Sequence, residues 1–306
     1  MNAPLPPQAV HLSFEPGPYR MAMGLTACPR ADWIELDHHY PAEMAERRHL
    51  LATRRDEIFA AIPGSESARR ETWDVLTAHL AGRWPDWFAI DGAVLENRLT
   101  GDRWNLAAPD RDPLEAAAML VQEDLCIIQI SEDGPLLAAG VVCFPSRWRL
   151  GEKIGRPLAT VHGPVPFYAD RLARPVDRFM GVVKPGHVAV RLNWSMSDDP
   201  TLFQPTGKWR TDRSVHITAD NAGDALFLRV ERQTLTRLEQ SGAVLFTIRV
   251  HVYPLARIAA RPEIAQRLTE AVRALPPETL HYKSLLRFRD ALLDYLGHMS
   301  EAIVRT

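Results

Sequence analysis

Arg229-Val-Glu-Arg-Gln-Thr-Leu-Thr-Arg-Leu-Glu-Gln-Ser-Gly-Ala-Val-Leu-Phe-Thr-Ile-Arg249 reads as two strands joined by a short turn, with charged residues alternating along one face. The same alternation begins upstream, so three strands are expected over 187–197, 225–235 and 243–253. Period two sets Val188, Val190, Leu192 and Trp194 against His187, Arg191, Asn193 and Ser195. It sets Leu226, Leu228 and Val230 against Arg229, Glu231 and Gln233, and Val244, Phe246, Ile248, Val250 and Val252 against Thr247, Arg249, His251 and Tyr253. A hairpin register that brings Glu231 near Arg249 then gives a polar surface of arginine, carboxylate, amide and tyrosine. On pattern alone such a face simply meets water. The long flanks must also pack somewhere, and if they cover both faces these charges are buried and must be paired or engaged with a ligand.

Farther out, Leu125-Cys-Ile-Ile-Gln-Ile130, the turn Glu132-Asp-Gly134 and the run 136–144 form a second hairpin. A proline-punctuated helical insert over 151–183 separates it from the three strands. Hairpin, helical crossover and three antiparallel strands is the order of a PAS domain, so the expected class is α+β, a PAS-like antiparallel sheet wrapped by helical extensions. The division expected is an N-terminal arm and helical extension over 1–123, a core over 124–256 and a C-terminal helical extension over 257–306. Within the first part, 1–30 reads as a Pro- and Gly-rich arm lying over the surface of something else. Helices are expected over 40–62, 68–80 and 113–123, around an irregular stretch, 82–112, pinned by Trp84, Trp87 and Trp104. The last part breaks at Pro276-Pro277 before an amphipathic helix over 280–298.

Composition narrows the function classes. The chain has 306 residues, 46% of them hydrophobic, enough for a packed core. Lys and Arg number 36 against 38 Asp and Glu, so no global basic field recommends nucleic acid or anionic lipid. Cys28, Cys126 and Cys143 lack C-x-x-C spacing, which argues against a disulfide framework, a zinc site or an iron–sulfur cluster and makes a reducing cytoplasm the simplest compartment. No run of membrane length is seen, and a soluble, cytoplasmic protein is expected.

One histidine carries chemistry. His162 lies in Val161-His-Gly-Pro-Val-Pro166, where the Gly-Pro-x-Pro stop must end a helix and hold the imidazole at a terminus that an iron could reach. The macrodipole also favours a histidine there, so spacing gives no independent proof. Cys143-Phe-Pro-Ser146 would in principle allow thiolate ligation instead. His38, His39 and His216 read as surface histidines, and Trp33, Trp73, Trp148 and Trp209 as packing anchors.

Several blocks are similar to a known family. Cys143-Phe-Pro-Ser-Arg-Trp148, Glu152-Lys-Ile-Gly155, Val161-His-Gly-Pro-Val-Pro166, Arg191-Leu-Asn-Trp-Ser195, Arg229-Val-Glu-Arg-Gln-Thr-Leu235 and Ser241-Gly-Ala-Val-Leu-Phe-Thr-Ile-Arg249 resemble the alpha subunit of the haem-dependent oxidative N-demethylases, over most of the chain. The resemblance implies a PAS fold turned from sensing to catalysis. It implies haem b bound through one histidine, here His162, and oxidation of dimethylamine to methylamine and formaldehyde with dioxygen. It also implies partner reductase subunits carrying FMN, a 2Fe-2S cluster and NADPH, because this chain has neither a dinucleotide fingerprint nor cluster-binding cysteines. Arg191, Arg229 and Arg249, with Asn193 beside them, are then candidates for holding haem propionates or structuring the pocket, with Lys153 a poorer one. A cationic amine calls for a carboxylate or an aromatic face, for which Glu231 and Tyr253 are the candidate catalytic residues, with Asp198 behind them. A non-enzymatic haem PAS sensor and a haem-free structural subunit remain the competing readings.

Overall fold

A computed structural model describes residues 4–14, 17–207 and 209–301, and the expected arm lies partly outside them. In chain order the strands are β1 (Thr26–Cys28), β2 (Phe59–Ala61), β3 (Phe88–Asp91), β4 (Val94–Asn97), β5 (Asp102–Asn105), β6 (Asp124–Ser131), β7 (Gly134–Val141), β8 (Val188–Ser197), β9 (Phe227–Arg237) and β10 (Val244–Pro254). Seven of them form one antiparallel sheet in the order β1-β8-β9-β10-β6-β7-β2. The β6–β7 hairpin, a helical crossover and the β8–β9–β10 meander all arise as the alternation predicts. The meander closes by pairing β10 with β6, from Val244 opposite Ile128 to Ile248 opposite Asp124. The protein is therefore mixed α and β with a large antiparallel sheet.

The register corrects the expected polar face. Arg237 pairs with Val244 across the loop 238–243, so Glu231 sits opposite Val250 and Arg249 opposite Arg232. An even number of residues separates the paired ends, and an odd position in β9 therefore shares a face with an even position in β10. Arg191, Asn193, Glu231 and Gln233 lie together, because Arg191 pairs with Gln233 and Asn193 with Glu231. Beside them stand Phe246, Ile248 and Val250, not the polar set of β10. Arg249, His251 and Tyr253 point to the opposite face.

That back face is covered by both flanks. The helices Tyr40–Thr53 and Glu66–Arg83 bury Trp33, Tyr40, Met44, Trp73 and Leu76 with Leu125, Ile127, Val141 and Leu245. The helices Pro262–Ala274 and Arg289–Glu301 bury Ile264, Leu268, Leu292 and Leu296 with Met196, Leu228, Val230 and Tyr253. Charges trapped in this layer are paired, as burial requires. Arg249 meets Asp37 at 2.9 Å and Glu43 at 2.8 Å, and Arg47 meets Asp124 at 3.2 Å. Gln122 Nε2 donates to Asp37 and Glu43. Burial pushes the Glu123 carboxyl up to about 7.

Four local expectations are corrected. The helix expected over 40–62 stops at Thr53, because Phe59–Ala61 is recruited as β2 against β7, a tertiary pairing that overrides helical spacing. The segment expected to be irregular, 82–112, contains a three-stranded antiparallel sheet, β3-β4-β5. The helix expected over 280–298 is broken where Ser284 takes a left-handed conformation, φ 56°, between Pro277–Tyr282 and Arg289–Glu301. The arm lies on this chain's own sheet: Tyr253 Oη donates to Ala9 O, and Gln8 and Phe14 are buried. No helix of the described residues is long and apolar enough to cross a membrane.

Candidate functional site

The front of the sheet forms the floor of a cavity of about 950 Å³, at the upper end of ligand-pocket sizes, roughly 300–1,000 Å³. Its roof is the helical crossover, and residues 17–25 of the arm close one side. Leu137, Leu158, Phe179, Met180, Leu235 and Phe246 give it an apolar lining.

His162 lines this cavity from the crossover. It caps the short helix Leu158–Val161, which Pro157 starts, with Gly163 and Pro164 immediately beyond the cap. The imidazole Nδ1 lies 2.9 Å from the Leu158 carbonyl oxygen, which can only accept, so the proton sits on Nδ1 and the Nε2 lone pair is the one able to ligate. The ring also stacks on Tyr168, centroids 4.6 Å apart and planes 13° from parallel. Phe167, left-handed at φ 63°, turns the chain back so that Tyr168 reaches that position. Lys153 Nζ donates to Val161 O at 2.7 Å and closes the end of the helix. Cys143 offers no rival ligand: it is buried, and burial pushes its thiol up to about 12.

Among the described residues, the cationic groups on the floor divide into satisfied and unsatisfied ones. Arg229 donates to Ser146 Oγ and to the carbonyls of Phe144, Pro145, Thr201 and Leu202, so it ties β9 to two loops and most of its donors are spent there. Desolvation takes it down to about 10. Arg191 differs, since its Nε is buried without an acceptor and desolvation lowers its pKa. Lys283 faces the same region, its Nζ donating to Trp194 O and, at 3.3 Å, to Asn193 Oδ1. Burial takes that ammonium down to about 8. Glu231 accepts from Asn193 Nδ2 at 3.2 Å and Gln233 Nε2 at 2.8 Å.

The cavity thus gathers His162, Arg191, Asn193, Arg229, Glu231 and Lys153. It does not gather Arg249, ion-paired to Asp37 and Glu43 on the back face, nor Tyr253, whose Oη is bound to the arm there. Asp198 is taken by Arg287 at 2.8 Å, outside the lining. The expectation that Tyr253 and Glu231 share a pocket fails on the parity of β10. Sequence reasoning missed Lys283, Tyr282, Tyr168 and the cavity-lining Trp148. The break at Pro276-Pro277 is the signal that could have exposed Tyr282 and Lys283.

A model of the haem-dependent oxidative N-demethylases, alpha subunit-like, matches residues 24–293. The chain belongs to that family. Its description makes the family haem-dependent and oxidative, and an alpha subunit implies a multi-subunit complex. The matched span holds His162 and the sheet floor, while residues 4–14 of the arm lie outside it. The residues fit a haem on three structural counts: an imidazole with its tautomer set for ligation through Nε2, an apolar cavity of sufficient size, and a buried arginine nitrogen without an acceptor.

Proposed function

We propose that the protein is the haem b-binding, amine-oxidising subunit of an oxidative N-demethylase and acts on a small secondary amine such as dimethylamine. The observation that carries this reading is His162, held by the Leu158 carbonyl at the wall of a large apolar cavity. The sheet order, with β10 returning beside β6, supports a PAS-like core over 124–256 with helical extensions over 1–123 and 257–306. When bound, haem supplies dioxygen activation at the N-methyl carbon: amine, dioxygen, two electrons and two protons give methylamine, formaldehyde and water. His162 would hold its iron, and Arg191 and Lys283, which line the same cavity, would take its carboxylates. Asn193 and Gln233 orient Glu231, and Glu231 takes the cationic amine. Electrons come from partner subunits carrying FMN, a 2Fe-2S cluster and NADPH in a cytoplasmic complex, since this chain has no nucleotide-binding fingerprint.

The test is the visible spectrum of the haem-supplied protein with and without dimethylamine. A Soret band that shifts with the amine in the wild type, and a haem content lost in His162→Ala, is expected. A spectrum indifferent to amines overturns the substrate assignment, and full haem retention in the variant overturns the ligand.

A further inference from the structure

The back of the sheet carries a second constellation that the cavity does not use. His11 from the arm, Glu35 from the segment before the first helix and His251 from β10 converge, and their ligand atoms all lie within 4.8 Å of one another. His11 Nε2 is 3.0 Å and His251 Nε2 3.1 Å from the same oxygen, Glu35 Oε2. We propose that His11, Glu35 and His251 hold one divalent first-row transition-metal ion that latches the arm to β10.

Three observations carry it. The first is spacing: ligands bound to one ion at about 2.0–2.2 Å stand roughly 3–3.5 Å from one another, each imidazole already stands 3.0–3.1 Å from Glu35 Oε2, and the three ligand atoms lie within 4.8 Å, close enough to converge on one ion. Two imidazoles and a carboxylate are also a donor set for Zn²⁺ or Fe²⁺ rather than for calcium or magnesium. The second is charge. Glu35, Asp37 and Glu43 outnumber the guanidiniums of Arg232 and Arg249 that pair with them by one, an excess of negative charge that favours a cation. Arg232 Nε holds the other oxygen of Glu35 at 3.1 Å and so orients the carboxylate. The third is access: His251 is 1% exposed, but His11 and Glu35 are 21% and 24% exposed, so an ion enters from solvent and keeps water at its open positions.

Without an ion, the same three groups form two hydrogen bonds to one carboxylate oxygen, and this is the alternative the test must separate. His251 Nδ1 has no acceptor, so the outer hydrogen bond that usually strengthens a ligating histidine is missing there. Affinity is accordingly expected in the micromolar range. The latch has a consequence for the cavity: the arm is held to the back of the sheet at Ala9 and His11, and farther along it lines the cavity, at Ser13 and Phe14 and from Gly17 to Leu25. An ion at His11 fixes the arm on one side of the sheet and orders it on the other.

Full-length, haem-free, chelator-stripped protein is titrated with Zn²⁺ by calorimetry and with Co²⁺ by visible absorption. One ion per chain is expected, with cobalt bands of nitrogen and oxygen ligation. Affinity should weaken at least ~10-fold in His11→Ala and in Glu35→Gln, since losing even an outer partner costs about 10–100-fold. It should persist in His162→Ala, which keeps this test independent of the haem reading. Zn²⁺ should also slow proteolysis within the arm of the wild type and not of His11→Ala. His11 sits partly exposed on the arm, so its variant remains folded even if a change at His251 does not. Absence of stoichiometric binding, undiminished wild-type affinity in His11→Ala and Glu35→Gln, or loss of the ion in His162→Ala overturns the proposal.

Discussion

Two arginines on neighbouring strands make opposite demands on the fold. Arg229 is buried and bound through all three of its nitrogens to Ser146 and loop carbonyls, whereas Arg191 keeps a buried Nε without an acceptor. Arg229→Met should therefore cost about 3–5 kcal/mol of stability, because it strands several carbonyls and two loops together. Arg191→Met should change the stability of the haem-free protein by less than about 1 kcal/mol, or raise it, while weakening haem binding. Urea unfolding of both variants, followed by haem titration of Arg191→Met, separates the two roles. Lys283 adds a pH signature. Its neighbours are Glu231 and Arg191 on the sheet, Asn193 and the Trp194 carbonyl, and Arg147 on its own carbonyl. With a folded pKa of about 8, below the ordinary lysine value, the folded chain releases this proton first. Between pH 8 and about 10.5 the unfolded chain holds a proton the folded one lacks, so this group makes stability rise with pH. The difference in unfolding free energy between Lys283→Met and wild type should be largest, in favour of the variant, below pH 8. It should shrink by about 1–3 kcal/mol towards pH 10.5; a constant difference would refute a buried, cavity-facing ammonium.

At the scale of elements, Ser284 shows how a break in a helix builds the site. Its left-handed backbone ends Pro277–Tyr282 and leaves Tyr282 and Lys283 at the cavity wall, and its Oγ is buried without a partner. Ser284→Gly should add about 0.5–1.5 kcal/mol, since glycine takes this conformation without the Cβ penalty and removes an orphan hydroxyl. Ser284→Val should lose at least as much, and thermal melts of the pair would show the opposite shifts. The break was not legible in the sequence, where the apolar spacing of Leu285, Phe288, Leu292 and Leu296 continues through it. Each strand of the meander was legible, because the period of two is a local property of the chain. The relation between strands was not, since one residue in the loop 238–243 decides whether Arg249 joins Glu231 or turns away from it. The four-residue strands β3 to β5 are too short to display alternation, and β2 exists through its pairing with β7. His162 was legible as a helix cap, and the carbonyl that fixes its tautomer lies one turn back in the same helix.

Across the whole molecule, the flanks share their cores with the sheet. Leu125 and Val141 are buried with the N-terminal helices, and Leu228 and Val230 with the C-terminal ones. Urea unfolding should accordingly show one transition, with tryptophan fluorescence and far-ultraviolet circular dichroism coinciding; two separated midpoints would mean that a flank folds alone. The arm gives this architecture a direction in time. Ala9 is held by Tyr253 and Phe14 by Arg267, so this segment of the arm has nowhere to dock until some 240 residues later have been made. At about 5–20 residues per second that interval is roughly 12–50 s. Late in it the crossover and the strands up to β9 are already made while the side of the cavity closed by residues 17–25 can still stand open, a window in which a broad, flat cofactor can enter before the arm shuts it in.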